Sequence, residues 1–173
     1  VGVFQEIWKE ACYACKIQET SEELIYISKD NITTAIQKKL DDYSSRHIRC
    51  LESFIEQIVK SSSEIPLYIP YYFGRVLLKE PFEQINKGIE RKYLHEKIKE
   101  IQHRPEDVRP SDIGYFLKNL VQNQLKKNIS PPIFDFDLST NSVKIIDSTF
   151  YFFIKNCNRD EVLDMLSVPK GIP

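Results

Sequence analysis

Glycine is scarce in this chain of 173 residues, with only five. That scarcity argues against a doubly wound α/β domain, whose crossings need glycine-marked turns. No stretch approaches 18 uninterrupted apolar residues, so no membrane span and no membrane partner are expected. The opening VGVFQEIWKE has no initiator Met, no basic stretch and no apolar core of a signal peptide. It therefore reads as part of a longer cytoplasmic protein. GxxxxGK[ST] and HExxH are both missing, which leaves phosphate-cradling and zinc-hydrolase chemistry without a frame. The formal charge of -1 supplies no global field for nucleic acid or lipid. An apolar fraction of 42% is ample for a core, which excludes a disordered chain.

Four cysteines are present, and only Cys12 and Cys15 form a CxxC. A closed zinc site needs two further ligands, and Cys50 and Cys157 do not form a second pair. A thioredoxin-like couple would need a preceding strand, whereas this CxxC lies in a helical pattern. Ordinary reduced thiols are the expectation, with no metal and no cofactor.

Helical periodicity dominates what is there. Val3, Phe4, Ile7, Ala11, Ala14 and Cys15 form an apolar stripe over residues 3 to 17, with Trp8 at its edge as a candidate partner contact. LIYIS, within residues 22 to 28, reads as a strand or a lead into the next helix, with Asp30 or Asn31 as its cap. Ile32, Ile36, Leu40, Tyr43, His47, Leu51, Ile55 and Ile58 keep steps of three and four, giving one long helix or two. Arg46 and Arg49 beside His47 invite an anion, but the interleaved acids favour a solvated face. SSSEIP, ending at Pro66, suggests a boundary between a helical region, 1–64, and a second domain, 65–173. IPYYFGRVLLK then predicts a buried helix from Ile69 to Lys79. Tyr71 and Tyr72 are candidates either for its core face or for a partner surface. A further helical pattern from Pro81 to Gln102 is divided at Gly88, and HRPEDVRPS reads as a turn around a short helical piece.

Ser111 or Asp112 predicts a helix start, and Ile113, Phe116, Leu117, Leu120, Val121 and Leu125 its buried side. Tyr115, Lys118, Asn119, Gln122, Asn123 and Lys126 face away. Lysine suits phosphate, Asn and Gln suit base edges, and Tyr suits stacking. Tyr115, Lys118, Asn119, Gln122 and Lys126 are therefore the candidate nucleic-acid contacts, although any solvated helix carries similar residues. IFDFDL and VKII, joined by STNS, predict a hairpin with Asp135 and Asp137 on its exposed face. Residues 86 to 128 hold ten basic and six acidic side chains, against four and six in residues 131 to 173. A hairpin gripping phosphate would carry more cations. Asp147 or Ser148 caps an aromatic helix, STFYFFIKNC, before a short helix from Arg159 to Leu166 and a weak tail.

SDIGYFLKNLVQNQLKK followed by IFDFDLSTNSVKIIDSTFYFFI resembles the recognition helix, wing and aromatic segment that end STAND-type and related AAA+ ATPases of prokaryotes. VGVFQEIWKEAC is similar to the start of their helical lid. The resemblance implies a mainly α fold, with a helical N-terminal region followed by a winged-helix-like domain with a small hairpin. It implies a non-catalytic module that relays or restrains an ATPase core, in a setting such as antiviral defence. The partner would be an upstream ATPase core or another protein. The alternative is double-stranded DNA, bound through the winged helix. The P-loop lysine and Walker acids of that family have no counterparts here, so this chain is not expected to be an enzyme.

Overall fold

The computed structural model describes residues 2–19, 24–56 and 66–172. The protein is mainly α-helical with one small three-stranded sheet. Helix α1, Gly2–Ala14, ends three residues before its apolar pattern does, and Cys15 falls in the closing turn. Residues 24–28 have no regular structure, and one helix, α2, then runs over Lys29–Ile55 without a break at Ser44 and Ser45. Its cap is Ser28, whose hydroxyl accepts from Asn31 N at 3.2 Å, rather than Asp30 or Asn31. Ile58 and most of SSSEIP lie outside the described residues.

Helix α3 occupies Ile69–Lys79, as its pattern predicts, with Pro70 in the first turn where a missing N–H costs nothing. Tyr71 and Tyr72 are 3% and 2% exposed, so the partner-surface reading of both is corrected: they are core residues. Helix α4, Phe82–Lys87, stops at Gly88, whose φ of 93° needs a residue without a side chain. Strand β1, Ile89–Glu90, follows, then α5, Arg91–Ile101, and a 3-10 turn at Pro105–Asp107.

The helix expected from Ser111 to Lys126 is two: α6, Pro110–Lys118, and α7, Leu120–Lys126. Arg109 occupies the N-cap position of the first, and Asp112, third in the helix rather than at its start, reaches back so that its Oδ2 accepts from Arg109 N at 2.9 Å. Asn119, at φ -101° and ψ 10°, separates them, while the helical bonds Asn119 N to Tyr115 O and Asn123 N to Asn119 O carry the phase across the junction. Leu125, expected inside, is 41% exposed, while Gln124, which continues the steps of three and four from Ile113, Leu117 and Leu120, is wholly buried. Strands β2, Phe134–Asp137, and β3, Ser142–Ile145, form the expected hairpin. β1 adds antiparallel to the far side of β3, giving the order β1-β3-β2. Helix α8, Ser148–Asn156, is capped by Asp147, whose Oδ1 accepts from Phe150 N at 2.7 Å. Helix α9, Arg159–Met165, precedes a tail that is tied down rather than loose, since Tyr68 donates to Lys170 O at 2.6 Å.

Five phenylalanines from five elements meet at the centre. Phe73 of α3 lies 5.6, 5.5 and 5.2 Å from Phe54 of α2, Phe116 of α6 and Phe134 of β2, and Phe150 of α8 lies 5.3 Å from Phe134. Edge contacts of this kind add to the transfer energy of the rings. Phe54, which belongs to the expected 1–64 region, thus shares a core with residues from 65–173.

Candidate functional site

Two surfaces carry the residues that the sequence singles out. The first is the outward side of α6 and α7. Tyr115 is 74% exposed, Lys118, Gln122 and Lys126 are exposed, and Asn119 is half-buried. Asn119, between the two helices, turns its side chain to its own backbone, the amide donating to Tyr115 O at 2.8 Å. Tyr115, Asn123 and Lys126 line an open groove of about 530 Å³ together with Tyr68, Pro70 and Phe116. Asp112 and Glu56 line the same groove, so its cations are offset by acids.

The hairpin beside this face is built by its own polar groups. Asp137 Oδ2 accepts from Lys144 Nζ at 2.8 Å, and Oδ1 accepts from Ser139 N at 2.9 Å across the turn. The Lys144 bond, ahead of those from Ser139 and Thr140, holds the Asp137 carboxyl well below the usual carboxylate range. Asp135 Oδ1 accepts from Phe136 N at 2.8 Å, on the strand's outer edge. Both carboxylates therefore shape the hairpin, and they do not assemble a paired-carboxylate centre. The start of the same edge is covered by Gln124, which bonds both the N–H and the carbonyl of Phe134. An edge satisfied in this way offers little to an added strand.

The second surface is α1. It packs on α2 and α8 through Ile7 and Ala11, and its stripe is narrower than the sequence pattern suggests. Phe4, expected inside, is 72% exposed, and Trp8 is 50% exposed. A spacing of four stacks these two rings on one side of the helix. Glu6 and Glu10 point the other way, onto α2. Tyr43 Oη donates to Glu6 at 2.6 Å, and Lys38 Nζ donates to Glu10 at 2.5 Å. Burial, then the Glu6 bond, pushes the Tyr43 phenol up to about 12, so it stays a donor.

Cys12, Cys15, Cys50 and Cys157 are all free thiols. Burial pushes the Cys157 thiol up to about 11, which keeps it protonated and unreactive. Among the described residues no three His, Cys, Asp or Glu side chains converge on a common point, and no helix is long and apolar enough to cross a membrane. Comparison of the chain with protein-family models, with curated proteins and with solved structures gives no match.

Sequence reasoning missed Phe4 as a surface residue because a helix three residues from a stripe centre looks the same whether one neighbour covers it or two. The signal that was available is the acid pair Glu6 and Glu10, which marks the side facing the lysines of α2.

Proposed function

We propose that this chain is a non-catalytic interaction module that relays or restrains the state of an ATPase core, which is the reading the family resemblance implies. The carrying observation is α1, a helix anchored by ion pairs on one side while Phe4 and Trp8 stand uncovered on another. Large aromatic side chains exposed at helical spacing are a cost in water and a source of binding energy at an interface. The element order of helices, β1, two helices and hairpin, with strand order β1-β3-β2, supports a winged-helix arrangement for residues 69–156. The test is co-purification with the ATPase core and its hydrolysis rate in the presence of the chain. Phe4→Ala with Trp8→Ala should release the chain and return hydrolysis to the rate of the core alone; unchanged capture and rate would refute the proposal.

Double-stranded DNA is the second reading, favoured by the exposure of Tyr115, Lys118, Gln122 and Lys126 on consecutive helices. The connection between α5 and α6, holding a 3-10 turn, is longer than the tight turn of a helix-turn-helix, and the hairpin's one lysine is tied to Asp137. Both features weigh toward a protein partner. Fluorescence anisotropy with duplex probes at low salt separates the two readings.

A further inference from the structure

Cys12 and Cys15 share the closing turn of α1. Cys15 N donates to Ala11 O at 3.2 Å and to Cys12 O at 3.0 Å, and Ile17 N donates to the same Cys12 O at 3.0 Å. Lys16 N donates to Tyr13 O at 2.9 Å, and Lys16 itself takes φ 59°. These are the bonds of a helix ended by one left-handed residue, here a lysine where glycine is usual. The two cysteines are thus joined through the backbone at one carbonyl, that of Cys12. Neighbours three apart on a helix hold their Cβ atoms about 5 to 6 Å apart, and a disulfide needs about 3.5 to 4.5 Å. Cys15 lies beyond Ala14, the last helical residue, so the small approach comes from its own backbone without unwinding the helix before it.

Both thiols are half-buried, and Tyr13 and Ala14 between them are exposed, so a small reagent reaches the turn. Cys50 lies inside α2 with no cysteine within a helical turn, and burial keeps the Cys157 thiol protonated, so neither offers the same chemistry. A catalytic CxxC sits at the N-terminal end of a helix, whose dipole favours the thiolate. This pair sits at the carbonyl end, which suits a pair that is modified rather than one that turns over.

We infer that Cys12 and Cys15 close a reversible disulfide, making this turn a modification site for a low-molecular-weight disulfide of the glutathione class. One cysteine thiolate attacks a sulfur of oxidised glutathione, forming a mixed disulfide and expelling one glutathione thiolate. The other attacks the cysteine sulfur of that mixed disulfide, forming the Cys12–Cys15 bond and expelling the second. The two cysteines lose two electrons and two protons, and the reagent gains them as two thiols. In a reducing compartment such a bond is transient. The inference stands apart from the interaction-module reading.

Trypsin isolates the pair in one peptide, residues 10–16, away from Cys50 and Cys157. The full chain, reduced and freed of reductant, is incubated with excess oxidised glutathione, blocked with N-ethylmaleimide, digested and weighed. The peptide should emerge unblocked and lighter than its reduced form by two hydrogen atoms, and dithiothreitol before blocking should restore two blocked thiols. Cys12→Ser and Cys15→Ser should each retain one glutathione on the remaining cysteine, the intermediate caught without its resolving thiol. At a fixed ratio of reduced to oxidised glutathione, the closed form should be favoured over the open by about tenfold more in the folded chain than in concentrated urea, the scale of fixing one residue's backbone in advance. Two blocked thiols after oxidation, a peptide carrying two glutathiones, or an equal preference in urea overturns the inference.

Discussion

Gln124 Nε2 donates to Phe134 O at 2.8 Å while Gln124 Oε1 accepts from Phe134 N at 3.0 Å, so one side-chain amide pairs with β2 as a neighbouring strand would. Oε1 also accepts from Ile133 N at 2.8 Å, and Nε2 also donates to Leu120 O at 3.1 Å. Gln124→Leu keeps the volume and strands these buried backbone groups. The expected loss is about 2 to 4 kcal/mol, the cost of leaving several such groups unpaired, read from urea unfolding midpoints. A loss below about 0.5 kcal/mol would mean that the bonds to β2 contribute nothing net.

His47 is wholly buried between the rings of Tyr43, Phe150 and Phe153, at 5.9, 5.4 and 5.4 Å. Neither ring nitrogen has a hydrogen-bond partner among the described residues. Burial pulls its value down from 6.5 to about 4, against the opposing charge of Asp147 and with a small contribution from Arg46. The folded value is depressed, so between pH 6.5 and 4 the unfolded chain binds the extra proton and stability falls as pH falls. The full loss is about 3 kcal/mol, complete once pH drops through the folded value. His47→Leu should flatten this slope in melts across the window; an unaltered slope in the variant would assign the acid sensitivity elsewhere.

Lys127, which follows α7, donates to Ser53 O at 2.7 Å and Phe54 O at 2.9 Å, and also to Glu56 O. A cation thus closes the carbonyl end of α2, where the helix dipole favours it. Burial lowers the lysine's affinity for its proton below the ordinary value, and the carbonyls offset that cost. Lys127→Met should lower stability by about 1 to 3 kcal/mol. Amide exchange in the last turn of α2 should rise before exchange elsewhere, and uniform protection would count against the cap.

Gly74 lies where α3 crosses α2, and a Cβ there would come within 2.8 Å of Ile55 Cγ2. Alanine in a helix interior ordinarily gains about 1 kcal/mol over glycine. Here Gly74→Ala should instead destabilise by about 1 to 3 kcal/mol through overpacking, and Ile55→Val in the same chain should recover part of it. A stabilised Gly74→Ala would show that the crossing has room to spare.

On the DNA reading, Lys118→Glu with Lys126→Glu should weaken duplex binding and reduce the slope of log affinity against log salt by about 2. Binding that is absent in the parent chain, or unchanged in the variant, removes α6 and α7 as a phosphate-binding face.

Much of the local structure was legible because the forces that make it act over a few residues. The bounds of α3, the stop at Gly88 and the cap at Asp147 follow from periodicity, backbone freedom and side-chain hydrogen bonds close in sequence, and the hairpin turn lies one residue earlier than STNS, at Leu138–Asn141, with Ser142 already paired to Asp137. The outward positions of Tyr115, Lys118, Gln122 and Lys126 were legible for the same reason, because helical phase alone places them. What those residues bind is a matter of chemistry beyond the helix, and phase is silent on it.

Other features depend on segments far apart in the chain. The sequence by itself determined that Tyr71 and Tyr72 lie on a helix; only the packing of α3 decided that both are inside. It determined that Phe4 lies in an apolar stripe with Trp8 at its edge, while the packing and ion pairs of α1 on α2 decided that this edge stays uncovered. β1 is two residues long and has no periodicity to read, so it exists as a strand only because β3 is beside it. Lys127 and Ser53 are 74 positions apart, and the Gln124 amide can be buried only because β2 supplies its partners at Phe134. Periodicity encodes which faces are apolar, but a neighbour encoded elsewhere decides which are covered, and on α1 that difference leaves Phe4 and Trp8 facing solvent.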